Sequence, residues 1–372
     1  MKKTVCIALT NRTNYSKLKS LLLEIKSNKN LNYKIILSSS ILLERYGSSY
    51  NDLLKDGFLI HKKIDCVLMN DSHEAMAKTI GISTIEHATY FADIKPDLLL
   101  IVGDRYDMLA PVVSASTMNI PIAHIQGGET SGTIDNVIRH VLTKFSSLHF
   151  VSTKVSAQNL INNGVSPDTI YNFGCPAVEY INSLDIGDSF SIKKIRKKFK
   201  EPINIKKSEK FLLVLIHPDT TNHLDVDMLK VLEIINQFRM KTFLFYPNVD
   251  ANNTEIVSGI AKYNNNRNFI RIRHMPIEDF IYTMAHASCM IGNSSAGIRE
   301  AASFGTPVID IGYRQKGREK NQSTFEIGDN YSLLKPSIDE CLNKKYEKQN
   351  IYYKKDCSKN IMKTITEFLN EK

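Results

Sequence analysis

Apolar runs of five or six residues recur along this chain. Most lead into a stretch in which apolar positions return every three or four residues. The first half reads TVCIAL then helix 15–27, YKIIL then helix 39–56, DLLLIV then helix 107–118, IPIAHI then helix 134–145, and LHFVS then helix 153–163. A strand that is apolar at nearly every position has both faces covered, the condition of a parallel sheet flanked by helices. The segment YNFGCPAVEYI brings in Gly174 and Pro176, which predict a domain boundary near 176. The alternation restarts with FLLVLI then helix 224–238, TFLFY then helix 251–262, NFIRI then helix 276–286, CMIG then helix 295–304, and PVIDI. A second parallel sheet is the economical reading, giving α/β domains over 1–176 and 177–356. Apolar residues at 361, 362, 365, 368 and 369 make a helical stripe, so a terminal helix over 357–372 is expected to pack back on the first domain.

At 372 residues the chain exceeds the size at which one core keeps growing, in keeping with two domains. Its 42% hydrophobic and 23% charged residues are ordinary for a water-soluble protein. The start, MKKTVCIALTNR, has too short an apolar stretch for a secretory leader, and no later run approaches the ~20 residues that span a bilayer. Six scattered cysteines (Cys6, Cys66, Cys175, Cys289, Cys341, Cys357) without CxxC spacing predict reduced thiols in a cytoplasmic protein. The formal charge of +9 is concentrated in residues 193–210, KKIRKKFKEPINIKKSEK, with nine basic and two acidic side chains. No aromatic platform or recognition-helix motif accompanies this run. It reads as a solvated linker or helix face, and neither nucleic acid nor membrane is expected as a partner.

Ligands of open parallel sheets bind at the carboxyl ends of strands, so loops directly after strands should carry the chemistry. Five stand out: TNRTNYS, GDRYD, QGGETSGTID, HPDTT and GNSSAGIRE. In the last, Ser294, Ser295 and Gly297 open a helix and offer hydroxyls and free N–H groups to an anion, although a serine there also reads as a simple cap. Arg314 and Arg318 in YRQKGREK, with Arg12 after the first strand, supply guanidinium groups for a diphosphate. Glu300 is placed to accept from a ribose diol, or to interact only with the helix dipole. No GxGxxG follows the first strand, which disfavours NAD, and no GxxxxGK[ST] is present. A nucleotide diphosphate held without those cradles fits best. If Thr133 caps the helix from 134, Asp135 sits in its first turn as a candidate base, and Asp104 and Glu129 are further carboxylates near it. The plain alternative pairs Asp104 with Arg105 and Asp135 with Arg139.

The segment GDRYDMLAPVVSASTMNIPIAHIQGGETSGTIDNVIRH, together with HPDTT and IGNSSAGIREAASFGTPVIDIGYRQKGRE, resembles the UDP-N-acetylglucosamine 2-epimerases, and within them the hydrolysing branch that feeds sialic acid synthesis. The resemblance runs from Arg12 to about Glu319 in the same order. It implies two Rossmann-like domains of the glycosyltransferase-B type with the active site in the interdomain cleft. It also implies a reaction: loss of UDP with removal of the C2 proton to give a 2-acetamidoglucal, then hydration with inversion at C2 to N-acetylmannosamine, for which no cofactor or metal is expected. Carried over by position, Asp104, Asp135 and His217 match family chemistry, with Gln126 and Glu129 beside them. Arg12, Ser294, Ser295, Glu300 and Arg318 match the nucleotide side, where Arg105, His274, Gly297 and Arg314 are added candidates. UDP-sugar and UDP are the expected ligands, and a homodimer or homotetramer the expected assembly.

One departure matters. Family members often carry HIEGGE where this chain has Gln126, and an amide orients groups but does not transfer the proton. A sister group acts on nucleotide-linked 2,4-diacetamido sugars on the route to legionaminic acid, and that substrate stays open. So do a glycosyltransferase on the same fold and a non-catalytic nucleotide-sugar binder.

Overall fold

The computed structural model describes residues 2–43, 50–68, 70, 72–187, 209–221, 226–248, 250–344 and 346–371. The basic run at 193–210 therefore lies outside the described residues except for Glu209 and Lys210. The chain divides into two compact units, Met1–Tyr180 with Tyr352–Lys372, and Ile181–Ile351.

The first unit is built on a seven-stranded sheet, β1 Lys3–Leu9, β2 Leu31–Ser38, β3 Lys62–Ile64, β4 Leu98–Val102, β5 Ile122–Ile125, β6 Leu148–Val151 and β7 Ile170–Asn172. The order is β3-β2-β1-β4-β5-β6-β7 and every pairing is parallel. The apolar runs behave as their composition requires: Val5 to Leu9 and Leu98 to Ile101 are all 0% exposed, so both faces of these strands are covered. The helices are α1 Arg12–Ser27, α2 Tyr50–Lys55, α3 His73–Ile94, α4 Leu109–Thr117, α5 Ile134–Phe145, α6 Lys154–Asn162 and α7 Pro176–Ser183. Pro176, read from sequence as a breaker, opens α7, where its missing N–H and fixed φ fit a first turn. The division between units falls inside that helix, after Tyr180.

The second unit has a six-stranded parallel sheet, β8 Phe211–Leu215, β9 Lys241–Phe245, β10 Phe269–Ile272, β11 Cys289–Gly292, β12 Val308–Ile311 and β13 Thr324–Gly328, in the order β10-β9-β8-β11-β12-β13. Its helices are α8 Met228–Asn236, α9 Asn253–Lys262, α10 Ile277–His286, α11 Ser295–Arg299 and α12 Leu334–Asn343. Two buried clusters, one around Val214, Val231 and Ile309 and one around Phe211, Phe243 and Met290, cover the two faces of this sheet. The last helix, α13 Cys357–Asn370, belongs to the first unit, buries Ile361, Met362, Ile365 and Leu369, and packs on α1.

The structure departs from the pattern reading in several places. The expected helix 39–56 is a short 3-10 turn at Ser39–Leu42 and the six-residue α2, with 44–49 outside the described residues. Ser39 takes φ +60, a left-handed turn that an α-helix does not pass through. The expected helix 295–304 splits into α11 and a 3-10 turn, Ala301–Phe304, closed by the left-handed Gly305. β3, α3, β7, β13 and α12 had no counterpart in the apolar-run reading.

In each sheet the strand order reverses once, between β1 and β4 and between β8 and β11. Crevices open at the carboxyl ends of strands at such points, and ligands of α/β sheets settle there.

Candidate active site

At the first reversal, Thr10, Asn11 and Arg12 follow β1, and Gly103, Asp104 and Arg105 follow β4. Asn11 caps α1: its side chain accepts from the Thr13 N–H at 3.0 Å, while Asn14 Oδ1 accepts from Asn11 N at 3.0 Å and Thr10 N at 2.8 Å. This pins the half-buried Arg12 as the first helical residue. Across the reversal, the Asn14 amide donates to the Val102 carbonyl at 3.4 Å, and the Thr10 hydroxyl donates to Asp107 Oδ1 at 2.8 Å. Arg105 Nε donates to the other Asp107 oxygen at 3.5 Å. Arg105 is therefore engaged with Asp107.

Asp104 pairs with Arg139, which is fully buried on α5. Its Nη2 pairs with Asp104 Oδ2, and its Nε donates to the same oxygen at 3.1 Å. Nη1 donates to the Glu129 carbonyl at 2.6 Å and to Asn136 Oδ1 at 3.2 Å, and Nη2 also donates to Ser131 Oγ at 3.0 Å. A guanidinium with no access to water needs a carboxylate counter-charge, and Asp104 supplies one. The same side chain anchors the glycine-rich loop that carries the buried Glu129. The alternative that paired Asp135 with Arg139 is thereby set aside, since the Arg139 donors go to Asp104, Glu129, Asn136 and Ser131. Asp135 lies half-buried in the first turn of α5, where the dipole favours its ionised form. Thr133 occupies the cap position, but its hydroxyl makes no capping bond.

Gln126 is 1% exposed at φ +68, and its amide donates to Cys175 Sγ at 3.2 Å. Gly128, at φ +75, approaches the Ser156 carbonyl so closely that a Cβ would lie 2.2 Å from it, which accounts for glycine there. Lys17, which pattern reading passed over, is 9% exposed on α1, with Nζ 3.2 Å from where a Gly103 Cβ would sit. The buried residues of α1 also include Asn14 and Lys19, so no apolar periodicity singled out Lys17 in the sequence.

At the second reversal, His217 follows β8 and Asn293 follows β11. His217 N donates to Asn293 Oδ1 and Asn293 Nδ2 donates to the His217 carbonyl, both at 2.8 Å. His217 Nδ1 accepts from Asn248 N at 3.2 Å, so Nε2 carries the ring hydrogen and His217 is a donor. Gly292 is obligatory, because a Cβ there would lie 2.0 Å from the Leu215 carbonyl. Ser294 caps α11, accepting from Ala296 N at 3.4 Å, and Ser295 is its first residue. Gly297 lets this short helix lie against β12, where a Cβ would meet Val308 at 2.9 Å. Arg314 Nη1 and Gln315 Nε2 donate to the Asn293 carbonyl at 3.3 and 2.8 Å, folding the basic loop onto the β11 turn. Arg318 is buried in the same loop. Glu300 is the C-cap of α11 rather than one turn inside a longer helix, and His274 follows the edge strand β10, two strands from the reversal.

Asp310 on β12 is 1% exposed and meets Lys320 at 3.2 Å; burial lifts its carboxyl to about 6, against the pull of Lys320. All six cysteines are buried and none forms a disulfide. Among the described residues no group of three or more His, Cys, Asp or Glu is arranged to hold a metal ion, and no helix is long and apolar enough to cross a membrane.

Comparison with known proteins matches residues 23–366 to the family model described as UDP-N-acetylglucosamine 2-epimerase. The chain is 30% identical over 335 residues to a UDP-N,N'-diacetylbacillosamine 2-epimerase (hydrolyzing) of Legionella pneumophila, covering 90% of this chain and 87% of that one. It is 31% identical over 333 residues to a UDP-N-acetylglucosamine 2-epimerase of Neisseria meningitidis serogroup B, covering 87% and 83%. Among solved structures, a UDP-GlcNAc 2-epimerase from Neisseria meningitidis bound to UDP-GlcNAc superposes with TM-score 0.81 at 18% identity over 99% of this chain and 100% of that one, a likeness of fold. With a family match across nearly the whole sequence, the chain belongs to the UDP-N-acetylglucosamine 2-epimerase family.

Proposed function

We propose that this chain is a hydrolysing 2-epimerase converting UDP-N-acetylglucosamine and water to N-acetylmannosamine and UDP, acting in the cytoplasm as a homodimer or homotetramer. The C1–O bond to UDP breaks as the C2 proton leaves, and the electrons of the C2–H bond form the C1=C2 bond of a 2-acetamidoglucal. Water then adds its hydroxyl at C1 and a proton returns to C2 on the opposite face. A C2 proton with no neighbouring carbonyl is weakly acidic, so the leaving diphosphate must carry off charge while a carboxylate takes the proton.

The observation that carries the reading is the Asp104–Arg139 pair at the β1/β4 reversal. In support, the Asp104 carboxylate follows β4 at a strand end, and Arg139 ties it to the loop that carries Glu129. Asp104 and Asp135 are assigned to proton transfer, and Glu129 and Gln126 to orienting the sugar. His217, as a ring donor, stabilises the leaving oxygen. Arg12, Arg105, His274, Ser294, Ser295, Gly297, Glu300, Arg314 and Arg318 bind substrate and UDP. The hydrolytic outcome is supported by the Legionella pneumophila relative, matched over most of its length and named as hydrolyzing.

A second substrate is favoured by a specific observation. The Legionella pneumophila relative is named for UDP-N,N'-diacetylbacillosamine, and this chain buries an amide at Gln126. Proton NMR in heavy water with each nucleotide sugar separates the readings. Free N-acetylmannosamine with deuterium at C2, plus UDP, is expected. Product still attached to UDP would refute hydrolysis, and product without C2 deuterium would refute elimination and hydration.

A further inference from the structure

His124, the third residue of β5, is wholly buried and bonded through both ring nitrogens. Nε2 lies 2.8 Å from the Gly103 carbonyl, and Nδ1 lies 3.3 Å from Thr143 Oγ1 on α5. A carbonyl only accepts, so Nε2 carries the hydrogen. Burial lowers the ring pKa to about 4, which keeps it neutral at ordinary pH; Nδ1 is then an acceptor, and the Thr143 hydroxyl donates to it. Gly127 leaves the room this pair needs: a Cβ there would meet both His124 Nδ1 and Thr143 Oγ1 at 3.2 Å.

Gly103 has φ +87 and immediately precedes Asp104. The direction of its carbonyl fixes the peptide plane from which Asp104 departs. Thr143 lies four residues after Arg139, on the same buried face of α5. Asp104 is thus held at both ends from one helix, its carboxylate by Arg139 and its main chain by Thr143 acting through His124.

We propose that His124 is a positioning residue for the epimerase reaction: with Thr143, in the space left by Gly127, it locks the Gly103–Asp104 peptide so that the Asp104 carboxylate meets the C2 proton. The ring touches no substrate. The proposal rests on the reading of Asp104 as the group that moves the C2 proton.

The test compares His124→Leu, which removes the donor, with His124→Gln, whose amide can reach the Gly103 carbonyl. Thr143→Val and Thr143→Ser form a parallel pair. Misplacing a reacting group by about 1 Å costs on the order of 10²-fold in rate, so His124→Leu is expected to lower kcat by about that factor. KM and calorimetric UDP affinity should stay within about threefold, because substrate binding is carried elsewhere. The kcat isotope effect with C2-deuterated substrate should be at or above the wild-type value, and His124→Gln should recover at least about tenfold of the lost rate. If His124→Leu does not fold, the same split of kcat from KM in Thr143→Val, with recovery in Thr143→Ser, supports the proposal. Unchanged kcat in the donor-lacking variants, a reduced isotope effect, or loss of KM and kcat together overturns it. Activity lost in Asp104→Asn but kept in His124→Leu sinks this inference alone. Full activity in Asp104→Asn, or a wild type that turns over neither sugar nucleotide, sinks the functional reading with it.

Discussion

Arg139→Met removes the guanidinium on which the Asp104 loop and the Glu129 loop converge. The native side chain is fully buried and donates to the Asp104 carboxylate, the Glu129 carbonyl, Asn136 and Ser131. Methionine fills much of the volume but takes the Arg139 charge away from the buried Asp104 carboxylate. Breaking one side of a buried pair costs about 3–5 kcal/mol, a large share of the roughly 5–15 kcal/mol that holds a domain together. For a unit of this size that loss lowers Tm by roughly 6–20 °C. The assay is urea unfolding followed by far-ultraviolet circular dichroism, with scanning calorimetry of the same samples. Arg139→Met with Asp104→Leu provides the control. If the cost is mainly the stranded charge, the double variant should be more stable than Arg139→Met alone. A loss below about 1 kcal/mol in the single variant, or strict additivity in the double, would refute the argument that the pair is held by mutual desolvation.

Asp104→Asn and Asp135→Asn should each lower kcat by about two orders of magnitude or more with UDP affinity little changed, as stopped NMR time courses and calorimetry will show. Arg12→Ala, Ser295→Ala and Arg314→Ala should weaken UDP binding roughly tenfold or more, the scale of one charge-assisted bond, and unchanged calorimetric affinity in all three would place the nucleotide elsewhere. Gln126→Glu should leave turnover within about one order of magnitude if the residue only orients groups; a shift in preference between N-acetylglucosamine and 2,4-diacetamido substrates would instead mark it as reading the sugar. Acid should weaken the first unit. His87, His124 and His149 are buried with pKa values lowered to about 4 by desolvation, so between about 6.5 and about 4 the unfolded chain holds more protons, and each ring removes up to about 1.4 kcal/mol of stability per pH unit as pH falls. Asp310, raised to about 6, acts in the opposite sense in the second unit below that pH; calorimetry from pH 7 to 5 that shows no loss of stability would contradict the histidine argument.

The sequence by itself determined the two parallel sheets, because a strand covered on both faces must be apolar throughout, as the runs TVCIAL, DLLLIV, FLLVLI and PVIDI are. It also placed the candidate chemistry after those strands, since loops there need no apolar pattern and so display polar residues openly. Short or edge strands such as β3, β7 and β13 carry too few apolar positions to be legible in this way, and the α3 pattern was passed over for lack of an adjoining run. Pairing was decided only by the tertiary structure. Asp104 sits next to Arg105 and Asp135 sits four residues before Arg139, yet the fold joins Asp104 to Arg139 and turns Arg105 to Asp107. The reason is spatial. Parallel β4 and β5 bring α5 over the Asp104 turn, and a buried guanidinium goes to the carboxylate that shares its burial, whatever its distance along the chain. The burial of Lys17 beside Gly103 and the coupling of His124 to the Gly103 carbonyl have the same origin: both depend on strands that become neighbours only when the sheet forms.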